Sequence, residues 1–126
     1  MANERRPASV YGVGAEPDPR FTLANERTTL AWIRTALALV AGGVALISFT
    51  SLAPNLPAWA PLIGTASCAG GGLLAIRSIQ RWAAVERAMR RREPLPPPKA
   101  LFVLAIGVIV LAVMVLGLAV FELAVR

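Results

Sequence analysis

Three arginines, Arg20, Arg27 and Arg34, stand seven residues apart where an apolar run begins. On a helix of 100° per residue, positions seven apart drift by only about 20°, so the three form one column with neighbours about 10 Å apart along the axis. A column of guanidinium groups is suited to binding anions. Lys99 adds a cation where a later apolar run begins, and Glu26, Thr28 and Thr35 set a carboxylate and two hydroxyls beside the column. A second group, Arg77, Arg81, Arg87, Arg90, Arg91 and Arg92, is opposed within its own stretch by Glu86 alone. That group is expected to face anionic lipid headgroups and to fix topology.

Other chemistries are poorly supplied. The 126 residues contain no histidine, which excludes histidine catalysis and histidine metal ligation. Cys68 is the only cysteine and sits among Ser67, Ala69 and Gly70, where a small packing residue is the expected role. Without paired carboxylates there is nothing to run acid–base or nucleophilic steps, so the chain is expected to be no enzyme and to hold no cofactor or metal. Proton-coupled export would need a carboxylate near mid-membrane, and none is there. The only aromatic residue in the basic stretch is Trp82, too little for a nucleic-acid reader, so no nucleic acid is expected as a partner.

The elements that must carry these residues follow from composition. The chain is 56% hydrophobic and 16% charged, and its apolar residues fall into three blocks at 36–53, 58–76 and 100–121. Each block has about the 20 residues that cross a hydrocarbon core, and lipid obliges such segments to be helical. The predicted fold is therefore an all-α integral membrane protein with three transmembrane helices at about 19–52, 58–92 and 99–125. These form one membrane domain over 19–126. Asp18 and Pro19 make a helix start, as N-cap and first helical residue. Pro94, Pro96, Pro97 and Pro98 stop the second helix, and Glu122 and Arg126 make an i,i+4 pair at the end of the third.

Residues 1–18 are polar and broken by Pro7, Gly12, Gly14 and Pro17, which predicts a disordered cytoplasmic tail. They contain no apolar core of the kind a signal peptide needs, so the first membrane helix is expected to be an uncleaved anchor. Arginine and lysine crowd the N-terminal segment and the 77–99 stretch, while the 51–58 turn has neither. By the positive-inside rule the N-terminus is in and the C-terminus is out.

Ala24, Ala31, Ala38 and Ala45 run as a second column beside the arginines, with Leu23, Leu30 and Leu37 on the other side. Small residues mark helix contacts in membranes, which predicts that the arginine column lies toward a packed face and that Trp32 and Leu39 point to lipid. Ser67 with Gly71, and Cys68 with Gly72, give the second helix its own small patch. The bland reading stands beside this one. Arg20 and Arg27 can be wet, and Arg34, about one turn inside the membrane, can snorkel to the headgroups as a topology anchor.

The stretch "LANERTTLAWIRTALALVAGGVAL", residues 23–46, resembles the signature of the YidH-like family of small three-helix inner-membrane proteins, a domain of unknown function. The same domain forms the membrane part of the vacuolar transporter chaperone, which makes polyphosphate and moves it across a membrane. The resemblance runs over 19–126, and its Asn-Glu-Arg-Thr core and following Leu-Ala-Trp are the specific part. It implies a bacterial inner (plasma) membrane protein in which several copies surround a polyphosphate-conducting pore lined by basic residues. By motif position Arg20, Arg27 and Lys99 match basic residues at the cytoplasmic pore entrance, and Arg34 fits the bacterial form of the motif. The 126 residues include no stretch for a polymerase or other soluble polyphosphate-binding domain, so synthesis is not implied.

Two functions compete on this reading. One is an oligomeric channel or scaffold that handles an anion such as polyphosphate, its homo-oligomer bringing the arginines into rings. The other is a non-catalytic assembly or stability factor that docks other membrane proteins through its alanine faces. Membrane lipids are partners in both.

Overall fold

The computed structural model describes residues 4–126; the first three residues of the predicted tail lie outside the described residues. The described chain is all-helical. A single turn, α1 (Ala8–Tyr11), precedes three long helices, α2 (Pro19–Leu52), α3 (Ala60–Arg91) and α4 (Lys99–Val125). Each long helix contains a stretch apolar enough and long enough to cross a bilayer.

The helix ends follow from local chemistry. Asp18 Oδ1 accepts the Arg20 backbone N–H at 2.9 Å, filling one of the donor positions that a helix start leaves open. Two prolines, Pro54 and Pro57, lie between α2 and α3 in a turn without charge. At the far end of α3 the Glu93 N–H reaches back to the Ala88 carbonyl at 2.9 Å, and Arg92 takes a left-handed φ of 57°. That is a Schellman closure made with arginine in the place glycine usually fills, at a cost of about 1 kcal/mol. Pro94 and Pro96–Pro98 then keep the chain from resuming a helix until Lys99. Glu122 and Arg126 pair one turn apart at the end of α4.

The chain divides into two compact units, one taking in the segment up to Arg34 with Ala75–Pro97, the other Thr35–Leu74 with Pro98–Arg126. In the second unit the packing of α2 on α3 is set by glycine. A Cβ on Gly43 would lie 2.5 Å from the Gly64 carbonyl oxygen, and one on Gly71 2.6 Å from that of Ala36. Close backbone approach of this kind gives dispersion contact where lipid supplies no hydrophobic drive. The Ser67 hydroxyl donates to the Leu39 carbonyl at 2.7 Å across the same seam, a contact worth about 0.6 kcal/mol. The Cys68 thiol lies 3.5 Å from the Val40 carbonyl, so it packs as a small residue within this seam. Ala60, Ile63 and Leu118 form a small cluster, with Leu46, Leu56 and Leu111 against it.

Three expectations are corrected here. The alanines at 24, 31, 38 and 45 are exposed, and the buried column of α2 is Thr29, Ala36 and Gly43, with Thr22 half-buried in register. Glycine at 43 permits a closer approach than alanine does, so the helix turns that face inward. Trp32 and Leu39 are accordingly half-buried instead of facing out. Gly72, expected in the contact patch, has open space around it.

The tail also differs from expectation within the described residues. Val10 is fully buried, and α1 closes with Val10 and Tyr11 N–H groups on the Pro7 carbonyl. One apolar side chain and one aromatic ring give this polar segment something to bury, which its composition alone does not reveal.

Candidate functional site

The first unit places the polar residues. Along α2, Thr22, Asn25 and Thr29 turn toward α3. The Asn25 side-chain amide donates to the Trp82 carbonyl at 3.2 Å, and Thr22 Oγ1 donates to Glu86 Oε1 at 3.3 Å. The Thr29 hydroxyl returns to its own helix, on the Asn25 carbonyl at 2.9 Å. The Asn-Glu-Arg-Thr core is thereby split by function. Its asparagine bonds α2 to α3, with the following Thr29 buried beside it, while Glu26, Arg27 and Thr28 stay exposed.

Arg20, Arg27 and Arg34 are all exposed, and at 100° per residue their column lies about 160° from Asn25 and Thr29. The expectation that they lie toward a packed face is therefore corrected within one chain: they point away from α3. The locking residues take the inward side, and the arginine register follows from theirs. Arg20 pairs with Asp18 at 3.1 Å with its side chain almost wholly exposed. Among the described residues no carboxylate pairs with Arg27 or Arg34. Thr28 donates to the Ala24 carbonyl at 3.0 Å, and Thr35 is half-buried. Lys99 is exposed at the first turn of α4, in the other unit.

The second arginine group does not behave as one set. Arg77, Arg91 and Arg92 are exposed and Arg81 and Arg87 half-buried, positions open to headgroups. Arg90 is different: it is 3% exposed, and the expectation that it faces lipid headgroups is corrected. Its Nε lies 3.4 Å from Oε1 of the fully buried Glu86, and its Nη2 3.5 Å from Glu16 Oε2. Its Nη1 donates to the Tyr11 carbonyl at 3.4 Å, and its guanidinium carbon lies 4.9 Å from the centre of the Tyr11 ring. Tyr11 in turn meets Trp82 edge-on, with ring centres 6.1 Å apart.

Glu86 Oε2 and Arg90 Nε have no hydrogen-bond partner. A buried pair with an unmet oxygen and nitrogen carries a desolvation cost that its mutual attraction only partly offsets. The sequence signal for it was present but weak: Glu86 and Arg90 are four apart on one helix face. Thr22, Asn25 and Tyr11 were missed as partners because each meets α3 only through the tertiary fold.

Around Glu16 the tail is held electrostatically. Arg5 donates two hydrogen bonds to the Glu16 carboxylate, and these hold it below its ordinary range, with further attraction from Arg5 and Arg90. The Asp18 carboxyl is likewise held down, first by the Arg20 backbone N–H and then by the Arg20 side chain.

Comparison with known proteins places the chain in a family. The family model described as Domain of unknown function (DUF202) matches residues 20–88. The inner membrane protein YidH of Escherichia coli is 43% identical over 105 residues, covering 82% of this chain and 89% of that protein. An uncharacterized protein of Mycobacterium tuberculosis is 45% identical over 107 residues, covering 83% and 85%. No solved structure matches the chain significantly.

Proposed function

The chain belongs to the DUF202 family, as an integral protein of the bacterial inner membrane, and from that premise we propose that it is a homo-oligomer that handles a polyanion. The arginine column borders the cytoplasmic entrance, with polyphosphate the leading substrate class. One observation carries the reading. Arg27 and Arg34 are exposed on the side of α2 turned from α3, with no carboxylate paired to them among the described residues.

A guanidinium facing hydrocarbon costs about 2.5–3.5 kcal/mol at mid-membrane. A second copy or a shared aqueous lumen removes that cost, and copies related by rotation bring the columns together as rings. Arg20, Arg27 and Arg34 then form three tiers, and Lys99 is the cation that the resemblance to the vacuolar transporter chaperone adds. Glu26 moderates the charge, and Thr28 and Thr35 supply hydroxyls. The topology is N-in and C-out, which puts the basic tiers on the side where polyphosphate would enter. Arg77, Arg81, Arg87, Arg91 and Arg92 serve the headgroups of that leaflet. Nothing in this reading needs a catalytic step or a cofactor.

A second reading, docking of another membrane protein, is favoured by the exposed alanine column of α2 beside the arginines. The two are separated by polyphosphate flux into liposomes containing the purified protein. On the polyanion reading, Arg27→Ala and Arg34→Ala lower flux severalfold while leaving the oligomer intact in size and yield. Flux unchanged in both variants defeats the reading, and a stable heteromeric partner with no flux favours docking.

A further inference from the structure

The segment from Pro7 to Glu16 does more than precede α2. It lies on the end of α3 as a strap. The Ala15 N–H donates to the Arg90 carbonyl at 3.0 Å, and Gly14, at a φ of +62°, passes so close that a Cβ there would lie 2.1 Å from the same oxygen. Val10 is buried beneath it. Its last residue, Glu16, brings a carboxylate between Arg5 and the buried Arg90, and both guanidinium groups also lie within 5 Å of the Tyr11 ring centre, at 4.8 and 4.9 Å.

Two arginines converging on one oxyanion, one of them buried, is the arrangement by which proteins hold phosphate; Arg90 turns Nη2 to this site and Nε to the buried Glu86. Here the chain fills it with its own carboxylate. Glu16 is about half exposed, so the occupant is replaceable from the aqueous side. A cleft whose charged lining is Glu16, Asp18, Glu93, Arg90 and Arg92 opens beside it, so an incoming anion meets Arg92 as a further cation and Asp18 and Glu93 as opposing charges. A phosphate-class anion has more charge and more acceptor oxygens than a carboxylate, so it competes favourably for a guanidinium pair.

We propose that Arg5, Tyr11 and Arg90 form an anion site occupied by Glu16, and that a phosphate-class anion displaces Glu16 and frees the strap. The strap is then an internal plug for a basic site, distinct from the arginine column; either this proposal or the column reading can fail without the other.

Hydrogen exchange of the Ala8–Glu16 amides in the full chain tests it, with the protein in nanodiscs of neutral phosphatidylcholine. The wild type is expected to be protected at Ala15, and inorganic tripolyphosphate to speed that exchange about tenfold or more. Sodium chloride of matched ionic strength is expected to leave it unchanged. Glu16→Gln, at an exposed position, is expected to exchange faster without any anion. Nanodiscs containing phosphatidylglycerol distinguish the source: acceleration there without tripolyphosphate assigns the site to a lipid headgroup, and acceleration by tripolyphosphate alone assigns it to a free phosphate. The proposal is overturned if neither anion accelerates exchange, if salt does so equally, if Glu16→Gln exchanges like wild type, or if Arg27→Ala removes the effect.

Discussion

Replacing Glu86 by leucine isolates the buried ion pair. Glu86 is fully buried and Arg90 nearly so, and removing one partner of such a pair costs about 3–5 kcal/mol because the other charge stays desolvated. Two features reduce the figure. Glu16 remains 3.5 Å from Arg90, and as a half-exposed partner it returns up to about 1 kcal/mol. Glu86 Oε2 is already without a hydrogen-bond partner, so part of the desolvation cost is carried in the wild type and vanishes with the carboxylate. The expected loss is about 2–4 kcal/mol, toward the lower end. Glu86→Leu/Arg90→Leu, which removes both charges, should recover about 1–3 kcal/mol of it, with the remaining deficit coming from the lost stacking of Arg90 on Tyr11. Reversible unfolding in mixed dodecylsulfate and mild-detergent micelles, followed by circular dichroism, gives all three free energies. A single-variant loss below about 1 kcal/mol, or a double variant no more stable than the single, would show that water reaches the pair and refute the reasoning.

Gly43→Ala should destabilise by about 1–3 kcal/mol in the same assay, because its Cβ would meet Gly64 oxygen at 2.5 Å and Cys68 Sγ at 2.6 Å. The neighbouring Gly42→Ala, with nothing within 4 Å, should be neutral or gain up to about 1 kcal/mol; equal losses at the two positions would mean that the seam does not pass through Gly43. Docking of the strap should depend on acid. Because Glu16 is held below its ordinary 4.5, its contribution is complete above that value and is lost as pH falls through the lower one. Exchange at Ala15 should therefore be slow and unchanged from pH 7 to 5, once corrected for intrinsic rate, and accelerate only as pH falls below 4.5. Acceleration that begins above pH 5 would point to a different group.

The long helices were legible because lipid leaves few choices: three apolar blocks of spanning length, a proline-marked turn and an Asp-Pro start name their own elements. Which face of α2 turns inward was not legible. The columns at 20, 27 and 34, at 24, 31 and 38, and at 22, 29 and 36 all repeat every seven residues, and periodicity alone does not rank them. The structure chooses the last, and Gly43 continuing that register opposite Gly64 is the signal that could have ranked it. The burial of Arg90 was hidden for a related reason. In "RAMRRR" three adjacent arginines carry the same charge in one dimension; Glu86, four residues before Arg90, is the one local cue, and Tyr11 and Glu16 arrive from the tail to complete the separation.

The way α4 is held has a consequence for how the chain is made. Its one buried residue is Leu118, against Ala60 and Ile63, and it is the most apolar of the three helices, whereas α3 is the least. Partition into the bilayer follows a segment's own transfer free energy, so α4 can leave the translocon unaided. Helix α3, with its arginines and buried glutamate, is the segment whose insertion gains from a companion. The uncharged turn at 53–59 lets it enter as a hairpin with α2. A nascent chain cut short after α3 should then stand or fall with that hairpin, while α4 supplied separately would still find the membrane.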